Sequence, residues 1–378
     1  MDLTDFSEII VVLMALISAF VLSWLSIPPV ILIARRKNLC SKPNERTAHK
    51  HNIPTLGGIA IFAGTLFSYF VFAGGYLDPS LPFIAAGSIL IFFVGLKDDI
   101  FILDPKKKFI TQFIAAILVV LFTDVRITSL YGVFGIGEIN YVLSFILSVF
   151  VIVAVTNAYN LIDGIDGLAA STGIIASISF GTWFYLAGLT SYAVLCYALA
   201  GALIGFIRFN LPNGRKKIFM GDAGSLNTGF ILGIAAIVFI QANLDKEIAF
   251  HVRSAPAVAI GIMFLPIFDT VRVMFLRIFQ RKSPFQADMQ HVHHMLLRLG
   301  YRHIPATILL SITSIGLVVL SFLLRDIGVL WLLLILVVIT SAIYVIPFTL
   351  IARRLKKNIK PKVENIIKKK SIIENEIV

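Results

Sequence analysis

Long apolar blocks, broken by short polar stretches, run through almost the whole chain. Blocks of about the 17–25 residues that a bilayer-crossing helix needs can be drawn at 8–34, 56–75, 81–97, 109–123, 141–159, 167–189, 191–208, 224–241, 255–276, 305–324 and 328–352. The pattern predicts an all-α integral membrane protein with about eleven transmembrane helices. The fourth block is the weakest, because Lys108 and Gln112 interrupt its start. No internal repeat is visible, which weakens any analogy with transporters built from inverted repeats.

Composition agrees: at 58% hydrophobic, 14% charged and mean hydropathy +0.91, the chain is too apolar for a soluble domain. Cys40 and Cys196 provide neither a disulfide framework nor metal-ligand spacing. The opening MDLTDFSEII is acidic and lacks a basic stretch and a small-residue cleavage site, so the first block is expected to be a retained span. Charge then selects an orientation. With the N-terminus outside, 29 of the 33 Lys and Arg residues fall inside, leaving Arg126, Lys246, Arg253 and Arg325 outside. Positive residues favour the cytoplasmic side, so the C-terminus is expected there as well. The net charge of +12 is thereby explained without a nucleic-acid partner. Residues 1–352 are expected to form one polytopic membrane domain. Residues 353–378 are expected to form a basic cytoplasmic tail, either solvated or lying on the anionic inner leaflet.

Polar residues that packing does not explain collect on that inside face. GLKDDI carries Asp98 and Asp99, NAYNLIDGIDGL carries Asp163 and Asp166, and KIFMGDAGSLNTGF carries Asp222. LPIFDTVRV carries Asp269, and DMQHVHHMLLRLG follows. Adjacent carboxylates repel unless a cation compensates them, an arrangement that hard-cation sites favour, although helix capping is the plainer use. Asp163 and Asp166 are expected on one face of a continuing helix with Asn160 nearby. Gly164 and Gly167 are expected to let a ligand approach the backbone. Asp222 suits an N-cap, and the free N–H groups at the same helix start suit a phosphate. Asp269 either serves a site or pairs with Arg272. His291, His293 and His294, with Arg277, Arg281 and Lys282 in the same region, fit phosphate oxygens better than zinc, since that region has no Cys and no H-x-x-x-H spacing. Carboxylates for a divalent metal beside cationic donors for phosphate make a phosphoryl-transfer set. A P-loop is excluded by the lack of GxxxxGK[ST]. The competing class, a cation-coupled transporter, would place its carboxylates near the bilayer midplane and not at helix ends.

From about Lys42 to Gly300, the ordered motifs KPNERTAHKHNIPTLGG, GLKDD, NAYNLIDGIDGL, IFMGDAGS, PIFDT and SPFQADMQHVHH resemble the polyprenyl-phosphate N-acetylhexosamine-1-phosphate transferases. HVHH looks like the His-x-His-His of the WecA/TagO-type enzymes, which attach GlcNAc-1-phosphate to undecaprenyl phosphate. The relative that transfers MurNAc-pentapeptide phosphate has three consecutive histidines there. Ser41 departs from the family, whose members often carry Asp at that position. The resemblance implies a multi-pass protein of the bacterial cytoplasmic membrane with a cytoplasmic active site. It implies the conversion of UDP-GlcNAc and undecaprenyl phosphate to GlcNAc-diphosphoundecaprenol and UMP, with Mg2+ or Mn2+, opening a cell-envelope polysaccharide pathway. Another UDP-sugar, of the UDP-GalNAc type or UDP-MurNAc-pentapeptide, is the alternative donor.

The same resemblance implies Asp222 and Asp99 as metal ligands and Asp98 as the base or positioning group for the lipid phosphate. Asp163 and Asp166 are further catalytic carboxylates that would hold the nucleotide sugar with Asn157 and Asn160. Phe219 is expected to stack on uracil. Lys106, Lys108, Arg277, Arg281, His291, His293 and His294 are expected to grip phosphates. The implied partners are UDP-GlcNAc, undecaprenyl phosphate and membrane lipid, and a homodimer is compatible with them.

Overall fold

The structure, a computed structural model, describes residues 3–41, 53–76, 78–101, 103–211, 216–281, 290–346 and 349. The basic tail, the first eleven residues of the motif that starts at Lys42, and Lys282 with the SPFQADM part of the last motif lie outside these residues. The helices are α1 (Leu3–Arg36), α2 (Gly57–Phe72), α3 (Leu81–Ile100), α4 (Pro105–Phe122), α5 (Tyr141–Ile162), α6 (Leu168–Leu186) and α7 (Thr190–Asn210). They continue with α8 (Gly221–Ala242), α9 (Ala255–Ile262), α10 (Phe264–Phe279), α11 (Val292–Arg298), α12 (His303–Leu323) and α13 (Val329–Ile346).

Among the described residues, seven helices are long and apolar enough to cross a bilayer: α1, α3, α5, α7, α8, α12 and α13. The ninth apolar block is not one straight helix. It divides into α9 and α10, which meet at an 86° bend and would count as an eighth span if taken together. Pro266 lies four residues beyond Ile262 and has no N–H to offer that carbonyl, so the ladder cannot continue straight through.

Helix α8 is the centre of the bundle, with its whole apolar window buried and α2, α3, α5 and α6 packed around it. Helix α1 packs on α7 and α2 at the margin, and leaves Leu13, Ile17, Leu25 and Ile33 exposed, as expected of a lipid-facing surface.

Two short antiparallel hairpins depart from the all-helical expectation. β1 (Cys40–Ser41) pairs with β2 (Ile53–Pro54), so the first loop leaves and returns at one place. β3 (Ser129–Val133) pairs with β4 (Ile136–Glu138) between α4 and α5. This second hairpin is fastened to the C-terminal end of α8: Tyr131 Oη donates to the Ile240 carbonyl at 2.5 Å, and Thr128 Oγ1 to Gln241 Oε1 at 3.0 Å. An apolar void of about 250 Å3, lined by Leu130, Val133, Ala236, Ile240 and Ala259 among others, lies on this side, away from the carboxylates.

Candidate active site

Helix α8 begins where α3 ends, α4 begins and α5 ends, and four of the expected residues meet there. The Lys108 ammonium lies 2.9 Å from Asp98 Oδ2 and 2.7 Å from Asp222 Oδ2. Each carboxylate is held by its other oxygen. Asp98 Oδ1 accepts from the Leu103 N–H at 2.7 Å, and Asp222 Oδ1 accepts from Asn160 Nδ2 at 3.0 Å. Ser225 Oγ takes a second bond from the same Asn160 amide. Asp99, expected beside the metal, faces elsewhere. Its two oxygens accept from the backbone N–H groups of Asp222 at 2.8 Å and Ala223 at 3.1 Å. The first N–H groups of a helix have no partner within it and carry partial positive charge, so a carboxylate from α3 is drawn there. The turn that makes this approach requires Gly221, whose φ is +71°; a Cβ there would lie 2.1 Å from the Thr55 carbonyl and 2.6 Å from the Asp99 carboxylate.

Asp163 and Asp166 do not share a helical face. Helix α5 ends at Ile162 and α6 starts at Leu168, and the intervening turn closes with Gly167 at φ +79°. The Gly167 N–H is taken by Asn210 Oδ1 at the end of α7, which competes successfully with a continuing helix. Asp163 is half-buried at the end of α5. Burial, with Asp222, Asp99 and Asp166 nearby, raises its pKa well above the ordinary carboxylate range. Asp166 has the opposite environment. Burial would raise its pKa, but His303 Nδ1 at 3.0 Å and Lys217 Nζ at 2.5 Å overcome that and hold it low. Its carbonyl also accepts from Thr307 Oγ1, so this residue ties the turn to the start of α12. Phe219 stands in the same neighbourhood, with the Lys217 ammonium 5.5 Å from its ring centroid.

Gly164, expected to admit a ligand, is exposed, but the position that a Cβ would take on it is occupied by the chain itself. A Cβ on Gly164 would lie 2.1 Å from His293 Nε2, and one on Gly167 would lie 2.7 Å from Leu211 Cδ2. His293 is 1% exposed, and neither ring nitrogen has a hydrogen-bonding partner among the described residues. Burial, then the neighbouring His294, lowers its pKa to about 3, so the ring is neutral. His291 stacks on His293 with ring centroids 5.7 Å apart, and the His294 ring is tilted against His293 at 4.2 Å. His291 Nδ1 meets Asp269 Oδ2 at 2.8 Å, while Asp269 Oδ1 accepts from Arg272 at 3.2 Å and from the Val292 N–H at 3.1 Å. Asp269 thus joins α10 to the start of α11.

The remaining expected residues are dispersed. Arg277 is buried on the last turn of α10, and Arg281 is exposed just beyond it. Lys106 is exposed on the first turn of α4. Asn157 donates to Gln112 Oε1 at 2.5 Å, pairing α5 with α4. Lys217, His303, Thr307 and Ser225 were not read as site residues. Lys217 was visible only as one of many basic residues, and His303 as a lone histidine at the start of an apolar block.

Asp98 and Asp222 present convergent hard oxygens, and Asp222 would be fixed by Asn160 on a metal as it is on the amine. Among the described residues, no group of three His, Cys, Asp or Glu side chains forms a metal cage. A pair of converging carboxylates is the kind of donor set that Mg2+ uses, completed by water and substrate phosphates.

The fold and this cluster define a polytopic helical membrane protein with a carboxylate and amine centre at one end of its bundle. The family model described as glycosyl transferase family 4 matches residues 81–240. The chain is 31% identical over 306 residues to the undecaprenyl-phosphate alpha-N-acetylglucosaminyl 1-phosphate transferase of Escherichia coli (strain K12), covering 79% of this chain and 80% of that one. Similar coverage, 76% of each chain at 30% identity, relates it to the decaprenyl-phosphate N-acetylglucosaminephosphotransferase of Mycobacterium tuberculosis (strain CDC 1551 / Oshkosh). The chain belongs to glycosyl transferase family 4.

Proposed function

We propose that this protein transfers GlcNAc-1-phosphate from UDP-GlcNAc to undecaprenyl phosphate, yielding GlcNAc-diphosphoundecaprenol and UMP. The observation that carries the reading is the convergence of Asp98 and Asp222 on Lys108, each within hydrogen-bonding distance of it, in a chain related over most of its length to enzymes of that name. A phosphate oxygen of the lipid attacks the β-phosphorus of the nucleotide sugar; the P–O bond to UMP breaks, and the sugar keeps its anomeric bond. A phosphate monoester with a second pKa near about 6 is mostly dianionic at neutral pH, so the attacking group needs orientation more than a strong base.

Asp222 and Asp98 would hold Mg2+, which when bound supplies charge neutralisation for the diphosphate. Asn160 orients Asp222, and Asp99 holds the start of α8 so that the Asp222 side chain projects beside Asp98. Asp166 with Lys217, and Phe219 beside them, form the side of the site suited to the nucleoside. Lys106, Arg277, Arg281 and His294 are candidates for phosphate contacts on the rim. The site faces the cytoplasm, in an arrangement of eleven spans with the N-terminus outside and the basic tail inside, because the cations collect at the same helix ends as the carboxylates. Purified protein incubated with undecaprenyl phosphate, Mg2+ and a panel of UDP-sugars tests the reaction. UMP release with UDP-GlcNAc well above the other donors is the expected result, and release only with a different donor would transfer the assignment to that sugar.

A further inference from the structure

Asp98 and Asp222 are each anchored through one oxygen and bridged through the other. The anchors are groups that do not titrate or leave: the Leu103 N–H at 2.7 Å for Asp98, and the Asn160 amide at 3.0 Å for Asp222. The bridge is the Lys108 ammonium, carried on a flexible four-carbon stem from the first turn of α4 and partly open to solvent at 21%. Removal of the ammonium would therefore leave both carboxylates aimed at the same point. A divalent cation held by those two oxygens would compete with the ammonium for them, because two positive charges that close repel strongly. Only one of them can occupy the gap.

We propose that Lys108 is a tethered stand-in for the divalent cation, which holds the Asp98–Asp222 gap in the free enzyme and is displaced toward the substrate phosphates when metal enters. The proposal rests on the reading of this pair as the metal site. It makes Lys108 a positioning residue in the free enzyme and couples metal entry to the release of a phosphate-binding cation. A purely structural ion pair would stay closed whatever metal is present.

Mn2+ binding to the detergent-solubilised full chain, read from the loss of free Mn2+ electron paramagnetic resonance signal, separates these cases. Lys108→Met should bind Mn2+ roughly tenfold or more tightly than the parent, because no bridging hydrogen bonds to charged groups need be broken. Lys108→Arg, which keeps the charge, should stay near the parent. Unaltered affinity in Lys108→Met overturns the proposal. A second measurement uses the parent protein and so is independent of how the variants fold. Lys108 should be protected from amine acetylation without metal and become labelled when Mg2+ is added, with exposed Lys106 as the internal reference. Labelling of Lys108 that ignores Mg2+ overturns it as well. Failure of the underlying metal reading gives a different signature: Asp222→Asn would bind Mn2+ as the parent does, with UDP-GlcNAc present, and the proposal would fall with it.

Discussion

Asp222 divides its carboxylate between an amine and an amide, and that division sets what its replacement should do. In Asp222→Asn the packing volume is kept, but a neutral amide cannot balance a cation against a diphosphate. UMP release should fall by about a hundredfold or more, the scale of losing one charge-stabilising group in an active site, while the melting temperature stays close to the parent. Activity within tenfold of the parent at saturating Mg2+ would remove Asp222 from that role. His293 makes a prediction of another kind. Its folded pKa, lowered by burial and then by His294, is about 3. Between the ordinary histidine value and about 3, the unfolded chain takes up a proton that the folded protein refuses. Stability is thus present above that window and lost as pH falls through it. His293→Gln should flatten the decline of melting temperature between about pH 6.5 and pH 4; parallel curves for parent and variant would show that the ring carries no such penalty. The residue types at both positions were evident in the sequence, but the partners that decide their behaviour come from other helices.

At the level of elements, the turn between α5 and α6 separates what periodicity can reveal from what it cannot. Spacing put Asp163 and Asp166 on one helical face, but α5 stops at Ile162, before both, and a left-handed Gly167 held by Asn210 closes the turn after them. Gly164, exposed to an approaching ligand, also seats His293 where a Cβ would stand. An added methyl there should cost about 1–3 kcal/mol through overpacking. Gly164→Ala is expected to lower the melting temperature and activity together. Gly164→Ala with His293→Ala should recover much of the melting temperature, a coupling that a double-mutant cycle measures directly. Strictly additive effects would mean that the two groups do not touch. The bend between α9 and α10 is the opposite case: Pro266 was in view, and its missing N–H marks where the straight span stops.

Across the whole molecule, the expected orientation follows from which helix ends carry the cations. Asp245 lies in the exposed loop after α8, and Lys216 in the exposed stretch just before it. In a background lacking Cys40 and Cys196, an impermeant thiol reagent applied to intact cells should modify Asp245→Cys and spare Lys216→Cys. The reverse pattern would put the carboxylate cluster outside and remove it from the cytoplasmic nucleotide sugar.

Hydropathy marked the apolar blocks because a bilayer demands a minimum run of apolar residues, and that demand is local in the chain. The motif residues were readable for a related reason: carboxylates and amides at the boundary of an apolar segment are costly enough to stand out. The two hairpins were missed, since strands of two to five residues leave too little alternation to see against their surroundings. Which carboxylate faces which cation was not readable either. Asp98 and Asp99 are adjacent in sequence, yet one turns to Lys108 and the other to the start of α8. Asp163 and Asp166 divide likewise between a crowd of carboxylates and a pair of cations. Pairings of that kind depend on side-chain direction at helix ends and on neighbours more than a hundred residues away, as with Lys108 and Asp222. Only the packed bundle brings those groups within a few ångströms.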